Sequence, residues 1–142
     1  MISIAFPPSE ADVIYFACSW TDKLVSQNYA AAHEMLHHVA EQPGRSWVSA
    51  PDELKEWISN YGSDTPVEGD PSYVVTEIST ASGSRWDNDL DLAPVQERYA
   101  GFVGRLDWWL PLNGEWSDLQ ASFDLIDLNG KVAFVLVALR VP

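Results

Sequence analysis

His33-Glu34-Met35-Leu36-His37 is the segment whose residue types and spacing point most directly at chemistry. Two histidines four apart share a helix face and hold Zn2+, with the glutamate between them as general base. Such a centre needs a third ligand. Against the longer three-histidine form of the motif, Ala40 stands in place of glycine and Pro43 in place of the last histidine. His33 and His37 also fall at the edge of an apolar stripe, with Glu34 toward solvent. The match is therefore read as coincidence, with a zinc peptidase as the remote alternative, and no metal or other cofactor is expected. Asp87-Asn88-Asp89-Leu90-Asp91 opens like a calcium loop, but Leu92 replaces the glycine at position six and Arg98 the glutamate at position twelve. It reads as a solvated acidic loop. Cys18 has no cation near it on its own segment before Lys23 and reads as an inert buried thiol.

A second group of residues suits binding. Trp20, Trp57, Tyr61, Trp108 and Phe123 are expected to line the space between helices and sheet, where a cavity would take an apolar or aromatic ligand. Arg140 is expected on the core-facing side of the last strand. A cation there must be paired or sit at a mouth. A salt bridge to Asp12 or Asp22 is the preferred role, and an anion-binding fork the other. Trp109, Val135, Val137 and Leu139 are expected on the opposite sheet face, as the contact of a homodimer.

These side chains need elements to position them. Ser9, with Asp12 at capping spacing, opens a first helix whose apolar stripe is Val13, Phe16, Ala17, Trp20 and Leu24. Asn28 caps a second helix from 29 to about 40, with Tyr29, Ala32, Leu36 and Val39 on one face, ending before Pro43-Gly44. Ser49 caps a third, with Pro51 at its start, Leu54, Trp57, Ile58 and Tyr61 on one face, and Gly62 at its end. Residues 63–101 are irregular, with a strand over 73–78, the acidic loop at 87–91 and a helical turn near 94–99. Three strands follow at 102–110, 116–127 and 132–141, joined by Asn113-Gly114 and Asn129-Gly130, strong hairpin signals. Two-residue turns place Trp108 opposite Leu119, Leu106 opposite Ala121 and Gly104 opposite Phe123. They also place Phe123 opposite Leu136 and Leu125 opposite Phe134. One face then collects Phe102, Leu106, Trp108, Leu119, Phe123, Leu125, Val132, Phe134 and Leu136. The fold class is α+β: three amino-terminal helices packed on a curved, mainly antiparallel sheet, in one domain over 1–142.

Composition narrows the partners. The 142 residues hold 21 Asp and Glu against eight Lys and Arg, a net charge of −13, with seven Trp. Phosphate backbones and anionic membranes both need clustered cations, so neither nucleic acid nor a membrane is expected as a partner. No apolar run reaches the roughly 18 residues of a membrane span. Residues 1–20 carry no Lys or Arg and read as neither secretory signal nor transit peptide, so a cytoplasmic location is expected.

Several segments resemble the nuclear transport factor 2-like superfamily. They are Trp20-Thr21-Asp22-Lys23-Leu24, then Asn28-Tyr29-Ala30-Ala31-Ala32-His33 with Met35-Leu36, then Ser49-Ala50-Pro51-Asp52-Glu53-Leu54. Leu112-Asn113-Gly114-Glu115-Trp116-Ser117-Asp118-Leu119, running on to Phe123, is similar to a sheet hairpin of bacterial members. The resemblance implies a cone-shaped domain whose curved sheet wraps helices around a pocket. The superfamily includes ketosteroid isomerases, polyketide cyclases and many non-enzymatic binders, so the site decides the function. In the isomerase pattern a tyrosine on the first helix serves the oxyanion and an acid before the third helix is the base. Trp20 stands near the tyrosine position, and no Asp or Glu lies between Arg45 and Pro51. The leading expectation is a non-catalytic domain binding a small apolar or aromatic molecule or a protein. The alternatives are an isomerase, cyclase or dehydratase using Asp22, Asp107 or His33, and an acidic, immunity-type interaction protein directed at a basic partner.

Overall fold

The computed structural model describes residues 1–38, 50–92 and 100–142. The first helix forms as its stripe dictates. In α1 (Glu10–Val25), Ser9 accepts the Asp12 N–H at 3.2 Å, and Val13, Phe16, Ala17, Trp20 and Leu24 are buried together with Thr21. Asn28 caps α2 (Tyr29–Glu34) through the Ala31 N–H at 3.1 Å. This helix is shorter than its apolar periodicity suggests. Met35 and Leu36 turn into the core, and the His37 N–H donates to the Phe134 carbonyl at 2.8 Å, so the chain leaves the helix to dock on a strand. The expected continuation through Val39 to Pro43-Gly44, the Ser49 cap and the turn near 94–99 lie outside the described residues.

In α3 (Pro51–Ser59), Ala50 holds the N-cap position without a side-chain bond, and Leu54 and Ile58 face the core. Gly62 ends it in the left-handed region (φ +84°), donating to the Trp57 carbonyl at 2.7 Å. A Cβ on Gly62 would lie 2.9 Å from Leu119 Cδ1 and 3.0 Å from Arg140 Cα. Glycine here permits both the turn and the approach of the helix end to the last strand.

The five strands are β1 (Ser3–Ala5), β2 (Asp89–Asp91), β3 (Phe102–Leu112), β4 (Glu115–Leu128) and β5 (Lys131–Arg140). They form one antiparallel sheet, β1-β5-β4-β3-β2, curled into a half-barrel, and the class is α+β. Both Asn-Gly turns are two-residue hairpins, closed by Leu112 opposite Glu115 and Leu128 opposite Lys131. All four turn residues have positive φ, the backbone that matches strand twist.

Three irregularities correct the straight ladder. Between Trp109 and Pro111 the register slips by two residues of β4, so Trp108 faces Ala121, Leu106 faces Phe123 and Gly104 faces Leu125. An even slip leaves the faces intact. A single extra residue, Val103, turns Phe102 to the other side, opposite Ile126 and outside the central core cluster. A second one, Val137, acts on the last strand. Phe123 pairs with Leu136 as expected, but Ser122 pairs with Ala138 and Gln120 with Arg140. Leu139 therefore enters the core, fully buried, and Arg140 is exposed instead of core-facing.

The stretch expected as a strand at 73–78 is not one. Val75 makes an isolated bridge to Leu112, and Ile78–Thr80 is a 3-10 turn. This stretch grips the first hairpin tip. Asn113 N–H donates to Val74 O at 3.0 Å, its side chain accepts from Val74 N and donates to Ser72 O, and Gly114 N–H donates to Thr76 Oγ1 at 2.8 Å. The expected acidic loop supplies the edge strand β2, with Asp89 and Asp91 exposed.

Among the described residues, one hydrogen bond joins α1 to the centre of the sheet. Trp108, almost wholly buried, donates its indole N–H to Thr21 Oγ1 at 3.0 Å, and Thr21 donates to Ala17 O at 2.8 Å. Thr21→Val leaves a buried indole N–H without a partner and is expected to lower stability by about 1–3 kcal/mol in urea unfolding, with Thr21→Ser recovering most of the loss. Arg140→Met at the exposed strand end is expected to stay within about 0.5 kcal/mol of the parent in the same assay.

Candidate functional site

The aromatic interior is built mainly as core. Trp20 and Phe123 meet edge to face at 5.0 Å, Phe16 stacks on Phe134 at 3.6 Å, and Trp20, Trp108 and Phe123 are buried. Both pairs stabilise by buried area, and the edge-to-face pair also by quadrupole geometry. Trp57 and Tyr61 are half-buried at its margin. Tyr61 has φ +56°, packs against Tyr73 at 4.8 Å, and donates its hydroxyl to Asp118 Oδ1. A left-handed non-glycine backbone costs about 1–2 kcal/mol, and these two contacts offset it. Arg140 is not part of this group. A shallow surface cleft between Asn60, Pro66, Val67, Asp70 and Tyr73 lies beside Tyr61.

The side chain that stands out chemically is one the sequence reading did not single out. Arg85 reaches back over the sheet, and its Cζ lies 4.8 Å from the centre of the Trp108 ring and 4.7 Å from that of Trp116. One ring is pinned by its side chain and the other by its backbone. Trp108 is held by Thr21, and the Trp116 backbone N–H donates to Ser82 O at 2.9 Å, tying β4 to the stretch that carries Arg85. The next residue, Trp86, turns the other way. It is 58% exposed and leans on Trp109 at 4.9 Å, whose indole N–H donates to Asp87 O at 3.1 Å.

Arg85 Nε and Nη2 are shielded from water and have no hydrogen-bond partner among the described residues. Burial pulls its pKa below the usual arginine value, opposed by Cys18 and Asp87 nearby. Arginine stays charged through such shifts. Burial pushes the Cys18 thiol up, reinforced by Asp22 and opposed by Arg85, so the thiol is neutral at pH 7. Two indole faces attract the cation but accept neither of these in-plane N–H bonds. A buried donor left unmet costs about 1–3 kcal/mol, more when charged. The sequence did carry a signal for it: Arg85 is the first Lys or Arg after Lys55, it sits in an acidic stretch, and it precedes a tryptophan.

The remaining candidates are dispersed. The helix carrying His33 ends at Glu34, so the spacing to His37 is not helical, and His33 stacks on His38 at 4.0 Å. Among the described residues no group of three or more His, Cys, Asp or Glu is placed to hold a metal ion. Asp22 is exposed. Asp107 accepts from Ser122 Oγ at 2.6 Å and from Arg105 Nε at 3.3 Å. Of the expected dimer contacts, Val135 and Leu139 are fully buried within the single chain and offer no surface, which leaves Trp109 and Val137 partly accessible.

Comparison with protein-family models, with curated proteins and with solved structures found no match. Among the described residues no helix is long and apolar enough to cross a membrane.

Tyr61 offers a pH test of the margin of this site. Burial and the bond to Asp118 raise its phenol above the ordinary tyrosine value near 10. The neutral phenol is the favoured folded form. Its contribution is full below the unfolded value and is lost as pH climbs through the raised one. Tyr61→Phe is expected to flatten this alkaline loss in thermal melts recorded from neutral to high pH.

Proposed function

We propose that this chain is a non-catalytic binding domain, taking a small molecule with an apolar or aromatic body beside Arg85, at the margin of the aromatic interior. One observation carries the reading: a guanidinium held between Trp108 and Trp116 with two shielded N–H groups unmet among the described residues. A protein of net charge −13 has acids enough to neutralise a cation. Keeping this one in an aromatic bracket instead suits a ligand contact. Two of the three candidate acids and bases favour binding over catalysis: Asp107 is engaged by Ser122 and Arg105, and Asp22 stands in solvent. Three helices preceding a β3-β4-β5 meander also support a nuclear transport factor 2-like frame, with the helices seated in a cone.

A second reading, protein contact, is favoured by Trp86, exposed beside Asp87 and the acidic edge strand β2. Two copies of so acidic an edge repel one another, so a basic partner fits better there than a homodimer.

The binding reading is tested by calorimetric titration with 2-naphthoate and 2-naphthamide. At least one is expected to bind, and Arg85→Met and Trp116→Ala are each expected to weaken it about tenfold or more, a change of about 1.4 kcal/mol. Binding of neither probe, or binding indifferent to both substitutions in folded variants, rejects the site.

A further inference from the structure

We infer that the Arg85 bracket selects a planar monoanionic carboxylate, gripped side-on by Nε and Nη2. This deepens the binding reading above and rests on it. The two unmet nitrogens are the pair that matters. Nε–H and one Nη2–H point the same way along one edge of the guanidinium, and that edge presents two parallel donors. A carboxylate offers two oxygens in one plane at matching spacing, the paired geometry in which arginine binds it best. Single-acceptor ligands, an alcohol or an ether, would leave one of the two donors unmet.

The surroundings choose among anions. Arg85 is the cation described at this site, and the charges acting on it and on Cys18 include the carboxylates Asp87 and Asp22. A dianionic phosphate would meet one positive charge and two negative ones. A monoanion is balanced by the guanidinium alone. Cys18, a thiol and not a thiolate at neutral pH, does not compete for the fork. Trp108 is locked by Thr21, whereas Trp116 is half-buried at the start of β4, so Trp116 is the ring with room to shift as the shielded edge opens to a ligand. An aromatic acid then keeps a stacking partner on the ring that moved.

The test compares 2-naphthoate, 2-naphthamide and 2-naphthyl phosphate on the parent chain, Arg85→Lys and Arg85→Met by calorimetry. Naphthoate is expected to bind the parent at least tenfold more tightly than either other probe. Arg85→Lys keeps the charge and loses the fork, and is expected to bring the naphthoate-to-naphthamide ratio close to one. Should Arg85→Met fail to fold, Arg85→Lys decides alone. Equal, Arg85-dependent binding of acid and amide leaves the binding site standing and overturns the carboxylate assignment. Preference for the phosphate also overturns it. No binding by any probe overturns both.

Discussion

The hydrogen bond from the Trp108 indole to Thr21 is the point on which both the core and the candidate site turn. Among the described residues it is the one hydrogen bond between α1 and the centre of the sheet, made between two almost wholly buried side chains. A neutral bond between two buried groups contributes only about 1 kcal/mol net, but its loss strands a donor in a dry interior. It also fixes direction. An apolar helix on an apolar sheet can slide by a turn with little change in buried area, whereas a single donor and acceptor define one seating. With that seating, Trp108 presents its ring to Arg85.

Much of the scaffold was readable because it is governed by local rules. The α1 stripe, the Ser9 and Asn28 caps and the two Asn-Gly hairpins each depend on residues within a few positions of one another. What was not readable depends on long-range accommodation. A bulge at Val137 reverses the sides of Leu139 and Arg140, and nothing in an uninterrupted run of apolar residues marks where a strand gains an extra one. The end of α2 at Glu34 follows from Phe134, a hundred residues away, accepting the His37 N–H. Strands β1 and β2 have three residues each and exist only because a neighbour offers an edge.

The candidate site was the least legible part for the same reason. Trp108 and Phe123 were recognisable as inward residues, yet they are packed solid. The functional contrast comes from Arg85, in the irregular stretch whose path is set by the hairpin it leans on. Its neighbour Trp86 faces outward, so two adjacent residues serve opposite sides of the β3 edge. Such a split is visible only once that stretch is laid against the strand.

The two Asn-Gly turns, twins in sequence, have different freedoms. At Asn129-Gly130 the described ties are a bond from Gly130 to Asp127 and one from Phe6 to the Gly130 carbonyl. At Asn113-Gly114 the turn is sewn to residues 72–82 by side-chain and main-chain bonds on both of its residues. Hairpin tips are where lineages usually add or lose residues, because little else depends on them. Here the second tip is open to such drift. Any change in length at the first would unpick a seam some forty residues upstream, so the two loops are expected to diverge at very different rates among descendants of this chain.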